Sequence, residues 1–387
     1  TAFNSNGFSL GNATAFNGNA ANWGSAGNYV SWTFRKAPKF FDIVTYSGND
    51  SNRTISHNLG SVPGMIIIKR LNNNNPWIIY HRSTGNTGFQ SFDFNGFATV
   101  SNAFNNTSPT SSNFALGSRD DVNQSGGNYI AYLFAHNDGD GGFGPSGDQD
   151  IIKCGSYSSA TEINLGFEPQ WLIAKRTSST GNWYMVNNMT GFTNAAYGPR
   201  LIADLNLAEG SDSIASVTST GFNSQLFDGS GTYVYMAIRR GPLAVPEDAT
   251  KVFSVNETGT GDSPANVWNV GFASDMNINT QTGSNPPYIL ARLAKDKYLR
   301  TSSTAADGDA SNSKIFTSST GTLDLNTSWW GASTSDVISW NWKRAPSYFD
   351  VCCYSGTNNA GLTFNHNLGV KPEMIWVKNR DASEYWA

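Results

Sequence analysis

The chain has 387 residues, enough for roughly two to four domains. Charged residues make up 14% of it, against about 25% in an average soluble protein, and the net charge is −4 without a long run of either sign. These figures exclude the basic stripe of a nucleic-acid-binding protein, and no apolar stretch approaches the roughly 18 residues of a membrane span. We therefore expect neither a nucleic-acid partner nor membrane insertion.

A strand-like phrase recurs four times along the chain. It reads NYVSWTF at 28–34, NYIAYLF at 128–134, TYVYMAI at 232–238 and DVISWNW at 336–342. Large apolar residues alternate with smaller or polar ones, which is typical of a half-buried strand. The constant spacing predicts a repeat of about 100 residues, long enough to have its own core.

Each strand phrase is followed by a second strand and then by a turn. The turn reads HNLG at 57–60, INLG at 163–166, WNVG at 268–271 and HNLG at 366–369. After the turn comes an apolar run that ends in a base, and these bases are Arg70, Arg176, Arg292 and Arg380. We interpret the bases as strand ends that emerge into solvent rather than as ligand contacts.

These phrases divide the chain. Residues 1–36 read as the C-terminal part of a repeat, 37–136 as repeat 1 and 137–240 as repeat 2. Residues 241–344 read as repeat 3, with an insertion near 272–286 after which the apolar run resumes at 286–293. Residues 345–387 read as the N-terminal part of a further repeat, cut inside a predicted strand. We expect a fragment of a longer polypeptide; the alternative is a ring in which this part completes the first.

The predicted fold class is all-β, with tandem antiparallel β-sandwich-like repeats and very little helix. Only PRLIADLNLAEG at 199–210 and YILARLAKDKYL at 288–299 suggest a short helix each. The copies that begin at residues 37 and 345 resemble each other most, so three dissimilar repeats form a larger period. We expect each set of three to pack as one pseudo-symmetric body.

The turn phrase does not mark an active site. The position of His57 and His366 is filled by Ile163 and Trp268 in the other copies, and a catalytic or metal-binding imidazole would not be exchanged for these residues. Asparagine and glycine stand in every copy and suit a turn, since Asn bonds its own backbone and both residues tolerate positive φ. We assign a structural turn role to Asn58, Gly60, Asn164, Gly166, Asn269, Gly271, Asn367 and Gly369.

One loop offers a candidate metal site. Residues 136–150 read HNDGDGGFGPSGDQD, and Asp138, Asp140, Asp148 and Asp150 could give oxygen ligands to Ca²⁺. The loop lacks the closing glutamate of an EF-hand, and Asp-Gly is also an ordinary turn dipeptide, so solvated turns are the alternative. We expect no other cofactor.

Candidate binding and catalytic residues are few. Most aromatic residues share alternating positions between copies and are expected in cores. Trp23 and Trp330 lie beside glycine-rich turns and are the better candidates for an exposed binding platform. The known nucleophile, metalloprotease and phosphate-loop motifs are missing, so we do not expect an enzyme, although two facing carboxylates of a glycosidase leave no sequence motif.

Several long phrases resemble a repeat family found in tail-fibre and other virion structural proteins of marine bacteriophages, cyanophages especially. They include FRKAPKFFDIVTYSGN, NYIAYLFAHNDGDGGFGPSGDQDIIKCGSYSS and RRGPLAVPEDATKVF. The resemblance implies a virion appendage protein, tail or surface fibre, that is oligomeric and contributes to host attachment. Implied partners are other virion proteins and a host cell-surface glycan or protein. Two alternatives stay open: a virion decoration protein without a receptor role, and a polysaccharide-degrading appendage.

Overall fold

The computed structural model describes residues 2–4, 7–10, 29–94, 96, 102–192, 197–213, 215–225, 228–241, 244–258, 266–268, 270–281, 286–295, 297–310, 316, 323–325, 337–358 and 360–387. The chain divides into two compact units, Thr1–Lys36 and Ala37–Ala387. In the first unit, β1 (Ala2–Asn4) and β2 (Gly7–Ser9) form an antiparallel hairpin. Residues 29–36 lie in no strand.

Repeat 1 folds into a five-stranded antiparallel sheet and a two-stranded one. The large sheet, sheet I, has the order β3-β9-β5-β6-β7, and β4 pairs with β8. The strands are β3 (Phe41–Ser47), β4 (Arg53–Ser56), β5 (Pro63–Arg70), β6 (Ile78–His81), β7 (Gly85–Gln90), β8 (Asn113–Leu116) and β9 (Asn128–Ala135), with the single helical turn α1 at Asp120–Asn123. Phe114 of β8 meets Tyr46 of β3 edge-on, so the small sheet covers the large one.

Repeat 2 has the same plan. Sheet II has the order β10-β18-β12-β13-β14-β15, and β11-β17-β16 form the small sheet. The strands are β10 (Ile152–Tyr157), β11 (Glu162–Asn164), β12 (Pro169–Arg176), β13 (Trp183–Asn187), β14 (Tyr197–Ile202), β15 (Gly210–Ser213), β16 (Ser216–Val217), β17 (Gly221–Asn223) and β18 (Tyr233–Arg239). Between the layers, Phe222 packs against Tyr157 and Tyr235 in a core of buried side chains.

Repeat 3 repeats the plan once more. Sheet III has the order β19-β26-β21-β22-β23-β24, and β20 pairs with β25. The strands are β19 (Phe253–Thr258), β20 (Asn266–Trp268), β21 (Met276–Gln281), β22 (Tyr288–Ala291), β23 (Lys297–Arg300), β24 (Gly308–Asp309), β25 (Leu323–Leu325) and β26 (Val337–Trp342), with 3₁₀ turns at Ala249–Lys251 and Arg292–Ala294. The all-β, antiparallel, sandwich-like fold class is thus confirmed. No helix in the described residues is long and apolar enough to cross a membrane.

The three large sheets share one connection rule. In each large sheet, the first two strands in chain order do not pair with each other, because the last long strand of the repeat lies between them. β9 separates β3 from β5, β18 separates β10 from β12, and β26 separates β19 from β21. The last strand is therefore the central element that joins the two halves of a repeat.

Two details differ from the sequence expectation. In repeat 3, β21 takes the third position of the sheet, which the pattern assigns to 286–293. Its residues NINT carry buried Asn277 and Asn279 in place of an apolar run, and this hides the strand from a hydrophobicity pattern. The two predicted helices are also wrong, since 199–210 and 288–299 contribute to β14, β15, β22 and β23 with only one 3₁₀ turn. Sheet pairing overrides the local helical pattern there.

Repeats 1 and 2 meet through buried side chains. Nδ1 of His81 accepts the Ser83 N–H at 3.2 Å, so its Nε2 carries the proton and donates to the carbonyl oxygen of Tyr235 at 3.0 Å. The indole of Trp183 donates to the carbonyl oxygen of Ser91 at 2.8 Å. Burial lowers the pKa of His81 to about 4, which keeps its imidazole neutral.

Repeats 2 and 3 and the last partial repeat meet around buried charges. We call this set the arginine network: Arg240, Arg292, Arg344, Glu168, Asp275 and Asp350. Arg344 is 2% exposed and donates to both oxygens of Glu168 at 2.7 and 2.5 Å and to Asp350 at 2.6 Å. Arg240 lies 3.3 Å from Glu168 and 3.4 Å from Asp350. Three positive and three negative groups therefore compensate one another away from water.

Burial of Arg70 and Arg292 corrects the expectation that the bases at the strand ends emerge into solvent. Arg292 is 6% exposed, pairs with Asp275 and donates to the carbonyl oxygen of Ser274 at 2.5 Å. Arg70 is 8% exposed and donates to the side chain of Gln124. Carbonyl, amide and carboxylate acceptors replace water around these guanidinium groups, which makes their burial tolerable.

Residues 345–387 form no strand in the part that the structure describes. The phrases VCCYSG and MIWVKN, which the sequence predicts as strands, run without a sheet partner. Val377 and Ala387 do exchange two backbone hydrogen bonds, at 2.9 and 3.0 Å. A partial hairpin is therefore present without the sheet that continues it in the other repeats.

Candidate functional site

In the turn phrase, a side chain accepts a hydrogen bond from a backbone N–H group of the same turn. Nδ1 of His57 accepts the N–H of Leu59 at 3.2 Å, and Nδ1 of His366 accepts the N–H of Leu368 at 3.3 Å. In repeat 2, Oδ1 of Asn164 accepts the N–H of Gly166 at 2.8 Å. A ring nitrogen or an amide oxygen thus accepts the same hydrogen bond, from the N–H two residues further along the chain.

The glycines of the phrase need the left-handed region of φ. Their φ angles are +70° at Gly60, +76° at Gly166, +81° at Gly271 and +70° at Gly369. Only glycine adopts this conformation without a steric penalty. The backbone N–H groups of Asn58 and Asn367 bond to Asp42 and Asp350, at 2.8 and 2.7 Å. Asn269 lies outside the described residues.

The acidic loop folds back onto the start of sheet II. Phe143 and Gln149 form a bridge across it, and the carboxylate of Asp150 accepts the N–H of Gly139 at 2.9 Å and of Gly141 at 3.1 Å. Lys153 of β10 lies 3.4 Å from Asp150 and 3.6 Å from Asp138. The loop is therefore held by Asp150, which sits at its base.

A cleft of about 290 Å³ opens between this loop and the turn at 164–166. It is lined by Asp148, Gln149, Asp150, Lys153, Leu165, Gly166 and Arg239. Asp148 and Gly166 are exposed, whereas Leu165 is buried beneath them. The volume is at the small end of the range for ligand pockets, and the lining is polar with one apolar residue.

The charges of the cleft have both signs. Arg239 donates to the carbonyl oxygen of Asp150 at 3.3 Å and its guanidinium lies 5.7 Å from the ring of Phe167. Burial lowers the pKa of Arg239, and the neighbouring Arg240 lowers it further, while Asp150 and Asp148 raise it. Arginine stays protonated even when its pKa is lowered in this way. The cleft therefore presents the cations Lys153 and Arg239 beside the carboxylates Asp148 and Asp150.

The four aspartates of the loop do not form one coordination sphere. Oδ1 of Asp140 accepts the N–H of Asp138 at 3.1 Å, and Asp150 is engaged by two glycine N–H groups and Lys153. Across the described part of the chain, no group of three or more His, Cys, Asp or Glu side chains is placed to hold a metal ion. Calcium binding at this loop stays a prediction without a preformed site.

The cations of the cleft were not found from the sequence. Lys153 stands within a strand phrase and Arg239 directly follows one, and a base at such a position reads as an ordinary surface residue. The sequence indicates a turn at Gly166 and an acidic loop at 136–150 for separate reasons, and only the fold brings them together. Trp23 and Trp330, the candidates for an exposed platform, lie outside the described residues.

Two comparisons with known proteins bear on the chain. No curated protein matches the chain. A family model, described as a domain of unknown function (DUF7483), matches residues 1–242 and 248–387. The chain therefore belongs to the DUF7483 family.

Proposed function

We propose that the chain is a non-enzymatic part of a phage virion appendage, a tail or surface fibre, that contributes to host attachment. The resemblance of its long phrases to marine phage fibre proteins supports this reading. Three sheets with one strand order in tandem also support it, because repeated β modules give an appendage reach and a rigid base for variable loops. Its location would be the virion surface or tail, with other virion proteins as neighbours.

The cleft beside the acidic loop is the proposed contact for a host cell-surface glycan. Sugar hydroxyls both donate and accept hydrogen bonds, and the cleft offers carboxylate acceptors at Asp148 and Asp150 and donors at Lys153 and Arg239. This mixed lining is the observation that carries the proposal. A ligand that carries charge of a single sign would be repelled by the cleft groups of that same sign.

The base of the cleft adjoins the arginine network. Arg239 precedes Arg240, and Leu165 and Gly166 lie close in sequence to Glu168; Arg240 and Glu168 are both in the arginine network. The network holds the end of β18 and the turn before β12, and these two elements carry Arg239, Leu165 and Gly166 of the cleft. Preorganised groups lose less entropy on binding than mobile ones.

The test is binding of the whole chain to lipopolysaccharide from a marine cyanobacterium, with dextran as the comparison surface. Asp148→Asn is expected to weaken binding about tenfold or more, the loss of roughly one hydrogen bond to a charged group. Asp381→Asn, an exposed aspartate elsewhere, is the matched control and is expected to leave binding unchanged. Equal effects of the two variants, or binding to dextran alone, would contradict the assignment. Release of new reducing ends from the polysaccharide would show an enzyme.

A further inference from the structure

Sheet III carries polar side chains where sheets I and II carry apolar ones. The three sheets align on one cross-strand pair of the central strand, which is Tyr132–Ile67 in sheet I, Met236–Ile173 in sheet II and Trp340–Ile278 in sheet III. The two pairs beside it, whose side chains point to the opposite face, are Ile66–Leu133 and Ile68–Ala131 in sheet I, Leu172–Ala237 and Ala174–Tyr235 in sheet II, and Asn277–Asn341 and Asn279–Ser339 in sheet III. All of these flanking side chains are buried.

The polar side chains of sheet III lie in the core of repeat 3. Asn277 is the cross-strand partner of Leu290 in β22, and Ser339 follows Val337 by two residues on the same face of β26. Leu290 and Val337 belong to the apolar core cluster of repeat 3. The three asparagines and the serine of the two flanking pairs are each 0% exposed, so bulk water does not reach them.

The hydrogen bonds of this polar face are incomplete. Nδ2 of Asn279 donates to Oδ1 of Asn277 at 3.0 Å, and Nδ2 of Asn341 donates to Oδ1 of Asn256 at 3.4 Å. Among the residues that the structure describes, Nδ2 of Asn277 and Oδ1 of Asn279 have no hydrogen-bond partner. A buried donor or acceptor without a partner loses its hydration and gains no bond in return, which lowers the stability of the folded repeat.

We propose that repeat 3 is the module that opens first, by local unfolding of sheet III while sheets I and II stay closed. One unpaired buried polar group favours opening by about tenfold, so the two in sheet III favour it by ~100-fold. The apolar burial that sheets I and II gain at these positions is also smaller in sheet III. Opening lets the amides of Asn277 and Asn279 bond to water, whereas opening of sheet I exposes apolar side chains at the same positions.

The polar face therefore acts as a conformational device. Heat, denaturant or tension along the chain acts on repeat 3 before it acts on repeats 1 and 2, because local opening begins in the least stable unit. The inference is independent of the proposed glycan contact, since the cleft is built from residues of repeat 2. Loss of one proposal leaves the other standing.

The test is native-state hydrogen exchange of the full chain, read by mass spectrometry on the central strands of the three sheets. The amides of β26 are expected to exchange about 100-fold faster than those of β9 and β18. The double variant Asn277→Leu with Asn279→Ala places the residues of repeat 2 in sheet III and removes both unpaired groups together. Exchange of β26 is expected to slow by about tenfold or more in this variant, while β9 and β18 stay unchanged.

The matched control makes the same two changes at exposed asparagines of repeat 1, Asn52→Leu with Asn73→Ala. It should alter exchange of β26 by less than about threefold, since surface substitutions have small effects. The wild-type comparison needs no variant and decides the question if the double variant misfolds. Exchange of β26 as slow as that of β9 and β18 would overturn the proposal, and so would a folded double variant in which β26 exchanges as fast as before.

Discussion

Removal of Arg344 is the sharpest test of how the repeats are joined. In Arg344→Ala, three charge-assisted hydrogen bonds of 2.5 to 2.7 Å disappear and Glu168 and Asp350 stay buried. Arg240, at 3.3 and 3.4 Å from the two acids, remains to compensate one of them. Removing one partner from a buried pair costs about 3–5 kcal/mol, and the remaining arginine places our expectation near 4 kcal/mol.

Scanning calorimetry checks this value. A loss of about 4 kcal/mol should lower the melting temperature of the affected repeats by roughly 10 °C. The control is Arg380→Ala, whose ion pair with Asp307 is 2.9 Å long but 28% and 16% exposed, and which should cost about 1 kcal/mol or less. If Arg344→Ala is no more damaging than Arg380→Ala, the network does not hold the repeats together.

The same network predicts sensitivity to acid. Burial by itself raises the pKa of Asp350, but Arg344, Arg240 and the Asn367 N–H outweigh it and hold the pKa below 3.8. The carboxylate therefore contributes stability that is complete above the pKa of the unfolded chain and is lost as the pH falls through the lower folded value. Arg344→Ala should flatten this acid limb in urea unfolding measured as a function of pH. If the loss of stability at low pH is the same in Arg344→Ala as in the wild type, Arg344 does not lower the pKa of Asp350.

The remaining predictions concern the contact of repeats 1 and 2. His81→Gln should remove about 1.4 kcal/mol per pH unit from the stability slope between pH 6.5 and about 4, because only the unfolded imidazole takes up a proton there; an unchanged slope in urea titrations would contradict the pKa. Gly64→Ala should cost about 1–3 kcal/mol, since its Cβ would lie 2.7 Å from the sulfur of Cys154, whereas Gly241→Ala meets no atom within 4 Å and should be neutral in calorimetry. Burial raises the pKa of Cys154 to about 12, so iodoacetamide should label it only in urea; rapid labelling of the native chain, seen by mass spectrometry, would disprove its burial.

Local patterns in the sequence carry the fold class, because alternation, turn residues and repeat spacing are short-range properties. The phrase around His57 is readable as a turn for that reason. β21 is not readable, since its buried side chains are Asn277 and Asn279 and the pattern shows no apolar face. The helix expected at 199–210 fails because pairing with β13 and β15 decides its conformation.

The cleft and the arginine network are formed by contacts between residues that are far apart in the sequence, and such contacts leave no local sequence pattern. Arg344 and Glu168 are 176 residues apart, and the sequence around either residue gives no sign that the two form an ion pair. Lys153 and Arg239 become cleft residues only when β10 and β18 pair. The acidic loop and the turn are each visible in the sequence, but only the pairing of distant strands places them side by side.

The position of the last strand in each sheet also bears on synthesis at the ribosome. A repeat that has left the exit tunnel without its final strand exposes the facing edges of the two strands between which that strand lies in the finished sheet. Folding of each repeat must therefore wait for about 100 residues to be translated, and pairing between sequence-distant strands is slow. A nascent chain would pass through this aggregation-prone intermediate once per repeat. Slowed translation of a final strand should therefore raise aggregation during expression.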